Sequence, residues 1–540
     1  MSKLHWSIDY FVQQNGTIFS YGWIFHEDKS ITKLCLSLPE SDTDNVLKID
    51  YGKCRDDVGA YFSSFEQAKH SGYIIYGSFG SEAKIVDLKL LCTYSDGSTE
   101  SVDIPNSCLN VAIDVDSGGA TSKKLIFKQF MVLLKRAFML IKSGKFSLLY
   151  EKFSRYKNKT PSSNLDSAED IFAFLNPAER EQVIFLIDHD LGGGVNHYRN
   201  RLIQEKMSAG YSALVLSFDI TTLSYKLIVR GEKGEFKFKI PGYKFIYDLL
   251  AFVKIKEIVY NTGVSFTSPE EIPGFLIGLK MKTNAQLMTQ AHDLFPLCPS
   301  HFLINDQGKY CDIPEPSVCA SCLRNNTFGF TTLFESNDIE EWRDKWGGLM
   351  IASDKIVTFS QNTLDLYRRV YPQIQEENAV VIPHTVDYLP AKANIQQTQQ
   401  LKIGVVGIIG YHKGAKIVKE LAQEIKDKQC PAEIVIIGTV ESSCHADIVT
   451  QTGAYKHEEL PSLLEKHGVN IILFPSIWPE TFSYVVQEMM ELGYPVASFD
   501  LGAPDERLRT YQDGLVLSSM SAGIVLQELV KFHRQVYSIQ

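Results

Sequence analysis

Two glutamates near the C-terminus, Glu480 and Glu488, flank the predicted start of a helix. In the segment FPSIWPETFSYVVQEMMELGYPVASFDLGAPDE, the pattern predicts a strand that ends at Phe474 and a helix that begins near Thr481. Glu488 would lie two turns further on, where a carboxylate can accept both hydroxyls of a ribose, and Glu480 can reach sugar hydroxyls. The first helical turn would offer free backbone N–H groups to a diphosphate, at the positive end of the helix dipole. These N–H groups belong to Thr481, Phe482 and Ser483.

Two glycine-containing loops follow predicted strands elsewhere in the chain. The first runs from Asp190 through Gly193 and Gly194, between a strand and a helix, where glycines let the backbone approach a substrate. The second runs from Gly407 to Gly414 and includes Lys413, a cation that can pair with a phosphate. Both loops are expected to bind part of the same ligand as the two glutamates.

A histidine and four cysteines lie close together in the middle of the chain. His292 follows a predicted strand, and it is either a residue of the reaction centre or an ordinary hydrogen-bonded histidine. The cysteines have the spacing C-x12-C-x7-C-x2-C, which suits a tetrahedral structural zinc, although free thiols remain the alternative. These cysteines are Cys298, Cys311, Cys319 and Cys322.

The glutamate segment resembles the E-x7-E motif of retaining glycosyltransferases with the GT-B fold, in particular those of family 4. The resemblance rests on Glu480 and Glu488 and on the residues around them: Pro475, Ser476, Pro479, Gly493, Pro495, Val496 and Gly502. It implies that Glu480 contacts the donor sugar, that Glu488 holds the ribose and that the backbone between them binds phosphate.

Other positions match the same family less closely. The resemblance implies that Lys413 pairs with the leaving diphosphate and that His292 lies beside the donor sugar. Family members also carry a similar cysteine-rich insert after the His-Asp pair. Where the family often has an arginine, this chain has Ile408, so one cationic contact is missing unless His412 or another residue supplies it.

The function that the resemblance implies is retaining transfer of a sugar from a nucleotide-sugar to a growing polysaccharide or lipid-linked oligosaccharide. Candidate donors are dTDP-rhamnose, GDP-mannose and UDP-hexoses, and contacts near Gly453–Tyr455 would select the base. The triplet from Asp188 to Asp190 resembles a metal-binding DxD motif. It directly precedes the glycine loop of a Rossmann unit, so the match is interpreted as a coincidence and no catalytic metal is expected. The alternatives are a non-catalytic glycan-binding or scaffold protein, and an epimerase or phosphorylase on the same fold.

Five regions would position these residues. Residues 1–112 read as short strands separated by turns and predict a β-sandwich, and residues 121–175 predict a basic helical linker. Alternating strands and helices over 180–385, with the cysteine-rich insert at 298–322, and again over 400–518, predict two Rossmann-like doubly wound domains. The last helix, in 519–540, is expected to cross back onto the first of these domains. The predicted fold is therefore α/β and of the GT-B type.

The two N-terminal regions have alternative interpretations. The β-sandwich resembles an accessory domain of bacterial polysaccharide glycosyltransferases through Gly22–Trp23, Arg55–Val58 and Ser71–Tyr73. It is either a spacer or a surface that holds acceptor glycan or another polysaccharide-assembly enzyme. The basic amphipathic segment 121–157 is either a connector or a peripheral contact with an anionic membrane.

The composition of the 540 residues is ordinary for globular protein, with 44% hydrophobic and 22% charged residues. A formal net charge of -10 gives no reason to expect nucleic acid as a partner. No apolar run has the length of a signal peptide or a membrane span. The expected location is therefore the cytoplasm or the inner membrane face, with the ten cysteines reduced.

Overall fold

A computed structural model describes most of the chain. The described residues are 3–14, 17–37, 46–53, 55–78, 88–104, 110–111, 163–164, 182–190, 192–219, 224–231, 234–240, 242–250, 253–266, 268–326, 338–386, 388–389, 392–396, 398–441 and 447–538. The predicted basic helix over 121–157 lies outside these residues, as does most of the predicted linker up to residue 175. No helix in the described part of the chain has the length and hydropathy that crossing a bilayer requires.

The N-terminal region forms two sheets that share one apolar core. Its strands are β1 (Leu4–Gln14), β2 (Thr17–His26), β3 (Ile31–Ser37), β4 (Val46–Lys53), β5 (Gly72–Ser78), β6 (Lys89–Tyr94), β7 (Thr99–Asp103) and β8 (Asn110–Val111). One sheet has the order β4-β5-β2-β1-β8 and the other β3-β6-β7, with antiparallel pairing throughout except between β1 and β8. Phe11 and Ile24 from the first sheet pack with Leu34 and Leu90 from the second. A short helix, α1 (Asp56–Tyr61), and a 3-10 turn interrupt the β structure.

The central domain contains the first Rossmann-like sheet. Its strands are β9 (Ser163–Asn164), β10 (Gln182–Ile187), β11 (Tyr211–Asp219), β12 (Ser224–Gly231), β13 (Gly234–Ile240), β14 (Ile255–Tyr260), β15 (Gln286–Gln290), β16 (Lys355–Thr358) and β17 (Ala379–Val381). Its helices are α2 (Gly194–Ser208), α3 (Lys244–Leu249), α4 (Ile272–Thr283), α5 (Pro316–Asn325), α6 (Ile339–Ala352) and α7 (Gln361–Val370).

This central sheet is mixed rather than wholly parallel. The described strands have the order β17-β16-β15-β14-β10-β11-β12-β13-β9, and β12 pairs antiparallel with both β11 and β13. The prediction of only helices between the parallel strands was therefore wrong for residues 224–240. Alternating apolar and charged residues in this stretch, with Gly231 opposite Gly234, favour a hairpin over a helix.

The C-terminal domain contains a wholly parallel sheet. Its strands are β18 (Leu401–Ile409), β19 (Ala432–Val440), β20 (Val449–Gln451), β21 (Ile471–Phe474), β22 (Val496–Phe499) and β23 (Gly514–Leu517). Its helices are α8 (Ala415–Asp427), α9 (Leu460–Lys466), α10 (Tyr484–Glu491), α11 (Gly502–Leu508) and α12 (Ala522–Tyr537). The strand order β20-β19-β18-β21-β22-β23 is that of a dinucleotide-binding Rossmann fold, in which ligands bind where the order reverses.

The last helix, α12, packs on its own domain. Its buried residues Val525, Leu526 and Leu529 belong to the core of the C-terminal sheet, and α12 packs against α8. The Tyr537 hydroxyl donates a hydrogen bond to the Asn470 carbonyl, 2.8 Å away in the same domain. The predicted crossing of this helix onto the central domain was therefore wrong, because its apolar face is covered by α8.

Helices α7 and α11 join the two Rossmann-like domains instead. The Glu506 carboxylate of α11 accepts hydrogen bonds from the first N–H groups of α7, those of Gln361 at 3.1 Å and Asn362 at 2.9 Å. A carboxylate at a helix N-terminus also interacts favourably with the helix dipole. On the other side of the central domain, α4 and α6 pack against the N-terminal strands β1, β2 and β5.

Candidate active site

A cleft of about 1160 Å³ separates the central and C-terminal domains. It brings together nine residues that the sequence predicts as functional and that come from four separate segments. These are Gly193, Gly194, His292, Lys413, Glu480, Thr481, Phe482, Ser483 and Glu488. The central-domain residues of this set come from loops that follow β10 and β15, and the others follow β18 and β21. Ligands bind at this carboxyl edge of parallel sheets.

The glycine loop after β10 is held by a buried polar network. Gly192 and Gly193 have φ angles of +86° and +88°, which favour glycine, and α2 begins at Gly194. The side chain of Asn196 accepts a hydrogen bond from Gly192 N at 2.6 Å and donates to Asp188 at 3.2 Å. Burial raises the pKa of the Asp188 carboxyl to about 7, although the nearby Arg199 acts in the opposite direction. This network fixes the loop before any ligand arrives.

Both carboxylates of the DxD-like triplet have protein partners. Asp188 also accepts a hydrogen bond from Asn261 at 3.0 Å and lies 3.3 Å from an Arg199 guanidinium nitrogen. Asp190 forms an ion pair with Lys226 at 3.0 Å. The triplet therefore braces the glycine loop.

His292 lies where the two domains touch. Its carbonyl accepts a hydrogen bond from the Thr481 hydroxyl at 2.8 Å, and its ring stacks on Phe359 with the ring centroids 4.3 Å apart. Gln290 lies within hydrogen-bond distance of the imidazole, at 3.2 Å. Burial holds the pKa of His292 well below its ordinary value, so the imidazole is neutral near pH 7. It therefore offers the cleft a neutral polar group rather than a charge.

Lys413 lies on a tight turn that packs against the neighbouring loop. Strand β18 continues to Ile409, and the turn Tyr411–Lys413 follows it. Gly414 has a φ angle of +81°, and a Cβ atom there would lie 2.1 Å from the Pro475 carbonyl oxygen. Only glycine fits this approach, which aligns the lysine turn with the loop that carries Glu480.

Gly407, predicted to bind the donor, does not line the cleft. It is still part of β18, where it pairs with Gly438 of β19. Its φ angle of +115° lies in the region that favours glycine, and the strand continues for two further residues before the loop begins. Ile408, at the position where the resemblance implies an arginine, is 75% exposed.

The helix after Glu480 begins at Tyr484, three residues later than predicted. Ser483 has a φ angle of +71°, and its hydroxyl accepts a hydrogen bond from Val486 N at 3.4 Å, so Ser483 is the N-cap. Thr481, Phe482 and Ser483 form a loop, and the prediction that their N–H groups are helical was wrong. The Phe482 ring instead packs against the Arg507 guanidinium, 4.1 Å from the ring centroid.

The two glutamates differ in their surroundings. Glu480 is 7% exposed, and its Oε1 has no hydrogen-bond partner among the described residues. Glu488 is 1% exposed, and its Oε1 accepts a hydrogen bond from the Tyr388 hydroxyl and lies 2.7 Å from His457 Nε2. The Glu480 carboxylate therefore has an oxygen free to bind a ligand, whereas the Glu488 carboxylate already contacts protein groups.

Several residues of the cleft were not selected from the sequence. They include His384, Tyr388, His457, Trp478 and Tyr484. His384 and Tyr388 come from the connection between the two domains, and Tyr484 comes from the start of α10. Proline residues near 383 and 390 indicate a hinge in this connection, but no spacing within it indicates which side chains face the cleft.

The structure gives no support for the predicted zinc site. Burial raises the pKa of the Cys311 thiol to about 11 and that of Cys298 still further. Across the described residues, no three His, Cys, Asp or Glu side chains are grouped as they would be around a metal ion. None of the four predicted ligands, Cys298, Cys311, Cys319 and Cys322, forms a disulfide.

Comparison with known proteins agrees with this geometry. Residues 390–526 match the family model "Glycosyl transferases group 1", which is about a quarter of the chain. No curated protein sequence matches the chain. The C-terminal domain is therefore similar to the glycosyltransferase group 1 family, and the two Rossmann-like domains that face each other across a cleft define a GT-B fold.

Solved structures resemble the chain only distantly. A TarM variant of S. aureus, solved with fondaparinux, alpha-GlcNAc-glycerol and UDP, has 15% identity and a TM-score of 0.36, and the match covers 60% of each chain. The catalytic domain of starch synthase IV from Arabidopsis thaliana, bound to ADP and acarbose, has 10% identity over 67% of this chain and 96% of that one, with a TM-score of 0.39. The lipopolysaccharide outer core galactosyltransferase WaaB has 11% identity over 66% and 94%, with a TM-score of 0.41. Likeness at this level assigns no substrate.

Proposed function

We propose that this protein transfers a sugar, with retention of configuration, from a nucleotide-sugar to a glycan acceptor. The observation that carries the proposal is one interdomain cleft that contains two buried glutamates, a lysine and several polar atoms without partners. The domain that is similar to the glycosyltransferase group 1 family forms one wall of this cleft.

The unpartnered polar atoms suit a ligand rich in hydroxyl groups. Within the described part of the chain, four buried atoms on the cleft wall have no hydrogen-bond partner: His384 Nδ1, Trp478 Nε1, Glu480 Oε1 and Tyr484 Oη. Each such atom costs about 1–3 kcal/mol if nothing satisfies it. An indole N–H donates and a carboxylate accepts, so a sugar hydroxyl, which does both, can satisfy both kinds of atom.

The charged groups divide between the parts of a nucleotide-sugar. Glu488 lies in α10, where its carboxylate can accept the ribose hydroxyls once Tyr388 and His457 give way. Lys413 and the N-terminus of α10 can hold the diphosphate between them. Glu480, in the loop before α10, is then left for the donor sugar.

The proposed catalysis is electrostatic stabilisation of the leaving group. The sugar–phosphate bond breaks while Lys413 and the α10 N-terminus stabilise the negative charge that develops on the departing diphosphate. The acceptor hydroxyl attacks from the same face, and a diphosphate oxygen takes its proton. Burial holds the pKa of His292 well below its ordinary value, which makes its imidazole a weak base, so the proposal gives this proton to the diphosphate oxygen. The donor needs no catalytic metal in this proposal.

The acceptor proposed is a growing polysaccharide or lipid-linked oligosaccharide. The central domain would bind it beside Gly193 and His292, the cleft residues opposite the donor domain. Rhamnose and mannose are the sugars we expect to be transferred. The excess of lysine and arginine over 121–157 suits attachment to an anionic membrane surface, where lipid-linked acceptors lie.

Release of nucleoside diphosphate from UDP-glucose, GDP-mannose and dTDP-rhamnose tests the proposal. We expect the wild type to release diphosphate from one of these donors, slowly by hydrolysis and faster with an acceptor glycan. Glu480→Gln should lower that rate at least about 100-fold, because it removes a charge aimed at the donor sugar. Glu491→Gln, on the exposed end of α10, is the matched control. A wild type that binds glycan but releases no diphosphate would favour the scaffold alternative.

A further inference from the structure

The cysteine-rich insert touches the C-terminal domain at the lysine turn. The Phe302 ring stacks on the His412 imidazole with the centroids 4.2 Å apart and the planes at 8°. The Phe302 ring also packs against the Trp478 ring, with the centroids 4.8 Å apart and the planes at 62°. The Tyr411 hydroxyl donates a hydrogen bond to the Gly308 carbonyl of the insert at 2.9 Å. The insert therefore contacts both C-terminal loops that line the cleft.

These contacts adjoin residues assigned to the donor. His412 directly precedes Lys413, and its carbonyl accepts a hydrogen bond from Ile477 N at 3.1 Å, which links the two loops. Trp478 lies two residues before Glu480. One aromatic side chain of the insert, Phe302, thus packs against both loops at once.

The insert itself is anchored in the central domain. Just before the insert, the indole N–H of Trp342 donates to the Phe295 carbonyl at 3.0 Å, and Arg343 donates to the Leu297 carbonyl at 3.2 Å. Leu303 and Ile304 lie in the core of that domain. A rigid base of this kind lets the tip of the insert hold a loop of the other domain.

We propose that the cysteine-rich insert is an interdomain clamp and that the Phe302 side chain of this insert positions Lys413 for catalysis. This inference rests on the proposed function. Burial lowers the pKa of His412 to about 4, so the stacked imidazole is neutral near pH 7. Stacking therefore orients the turn without adding a charge beside Lys413. Phe302 is a positioning residue, because its ring packs against the rings of His412 and Trp478 and does not itself line the cleft.

Three variants of the full chain test the clamp. Phe302→Leu removes the ring and keeps an apolar side chain, whereas Phe302→Tyr keeps the ring. Tyr310→Phe is the matched control, because the Tyr310 hydroxyl bonds to Asp312 within the insert. The measurements are hydrogen exchange of peptides that cover residues 408–416, and kcat and KM with UDP-glucose, GDP-mannose or dTDP-rhamnose.

We expect Phe302→Leu to lower kcat about 10- to 100-fold, the effect of a displacement near 1 Å at a reacting group, with KM for the donor changed less than about threefold. Exchange in residues 410–415 should rise, because the hydrogen bonds to the Gly410 carbonyl from Lys413 N and Ala415 N loosen. Phe302→Tyr should restore both, and Tyr310→Phe should resemble the wild type.

Unchanged exchange and unchanged kcat in Phe302→Leu would overturn the clamp. An equal loss of kcat in Tyr310→Phe would also overturn it, because that result would show general damage to the insert. A wild type that turns over none of the three donors would contradict the proposed function, while exchange over 408–416 would still decide whether Phe302 holds the lysine turn.

Discussion

The Tyr388 hydroxyl donates a hydrogen bond to Glu488 Oε1, the same oxygen that lies 2.7 Å from His457 Nε2. Tyr388 belongs to the connection between the two Rossmann-like domains, and its ring also meets His197 of α2, with the centroids 5.7 Å apart. The carboxylate proposed to bind ribose is therefore linked to the segment about which the domains would move.

Removal of the Tyr388 hydroxyl should favour nucleotide binding. In Tyr388→Phe, the buried Glu488 carboxylate loses one hydrogen-bond donor, and the ribose hydroxyls no longer compete with the tyrosine hydroxyl for that carboxylate. A hydrogen bond to a charged group contributes about 1.5–3 kcal/mol, part of which the ribose regains. We expect the Kd for UDP, GDP or dTDP, measured by calorimetry, to fall about three- to tenfold. Weaker binding in Tyr388→Phe would show that the tyrosine contacts the bound nucleotide.

Replacement of Lys413 by methionine should impair turnover more than binding. The ammonium group stabilises charge that develops on the leaving diphosphate, so its loss should lower kcat about 100- to 1000-fold. Lys416→Met removes a lysine that is 68% exposed at the side chain, near the start of α8, and should leave kcat unchanged. Steady-state release of diphosphate measures both variants, and equal rates for the two would remove Lys413 from the reaction centre.

The hydrogen bond from Thr481 to the His292 carbonyl should couple the domains. Thr481→Val keeps the shape of the side chain but leaves a buried carbonyl without this donor, at a cost of about 1–3 kcal/mol. We expect Tm to fall and kcat to fall about tenfold as the cleft walls lose alignment. Thr283→Val, at the end of α4 and remote from the cleft, is the control for Tm. A loss of Tm without any loss of kcat would make the bond purely structural.

The His412 imidazole should make the protein sensitive to acid. Its pKa is lowered to about 4 by burial and then by Lys413. As pH falls below about 6.5, the imidazole therefore takes up a proton in the unfolded chain before it does so in the folded chain. The contribution of neutral His412 to the free energy of unfolding is fully present above pH 6.5. It is lost as pH falls towards 4, by up to about 1.4 kcal/mol per pH unit. His412→Phe keeps a ring for stacking, and its Tm relative to the wild type should rise between pH 6.5 and 4.5. A difference in Tm that is constant with pH would refute this assignment.

The sequence predicted the parallel strands because their apolar runs are long and end in loops with glycine, proline or charge. It also predicted Glu480, Glu488 and Lys413 as neighbours, and the structure lines one cleft with all three. The start of α10 was misplaced because the positive φ angle of Ser483 interrupts the helix, and serine carries no sequence signal for that conformation.

Other features depend on contacts between segments that are distant in the sequence. His384 and Tyr388 lie in a connection, and only the packing of the two domains turns them towards the cleft. The final helix could not be assigned to a domain from its apolar stripe alone, since such a stripe does not indicate which surface covers it. The contact of Phe302 with His412 joins residues 110 positions apart, and no local pattern indicates it.

Calorimetry with nucleotide-sugars tests the central claim most directly. UDP-glucose, GDP-mannose and dTDP-rhamnose would be titrated into the wild type and into Glu488→Gln, which keeps the shape of a side chain that is 1% exposed. We predict that one donor binds the wild type and that Glu488→Gln weakens this binding at least about 30-fold, the loss of a charge-assisted hydrogen bond of about 2 kcal/mol. Failure of all three donors to bind, or equal affinity in Glu488→Gln, would contradict the assignment of this cleft to a nucleotide-sugar.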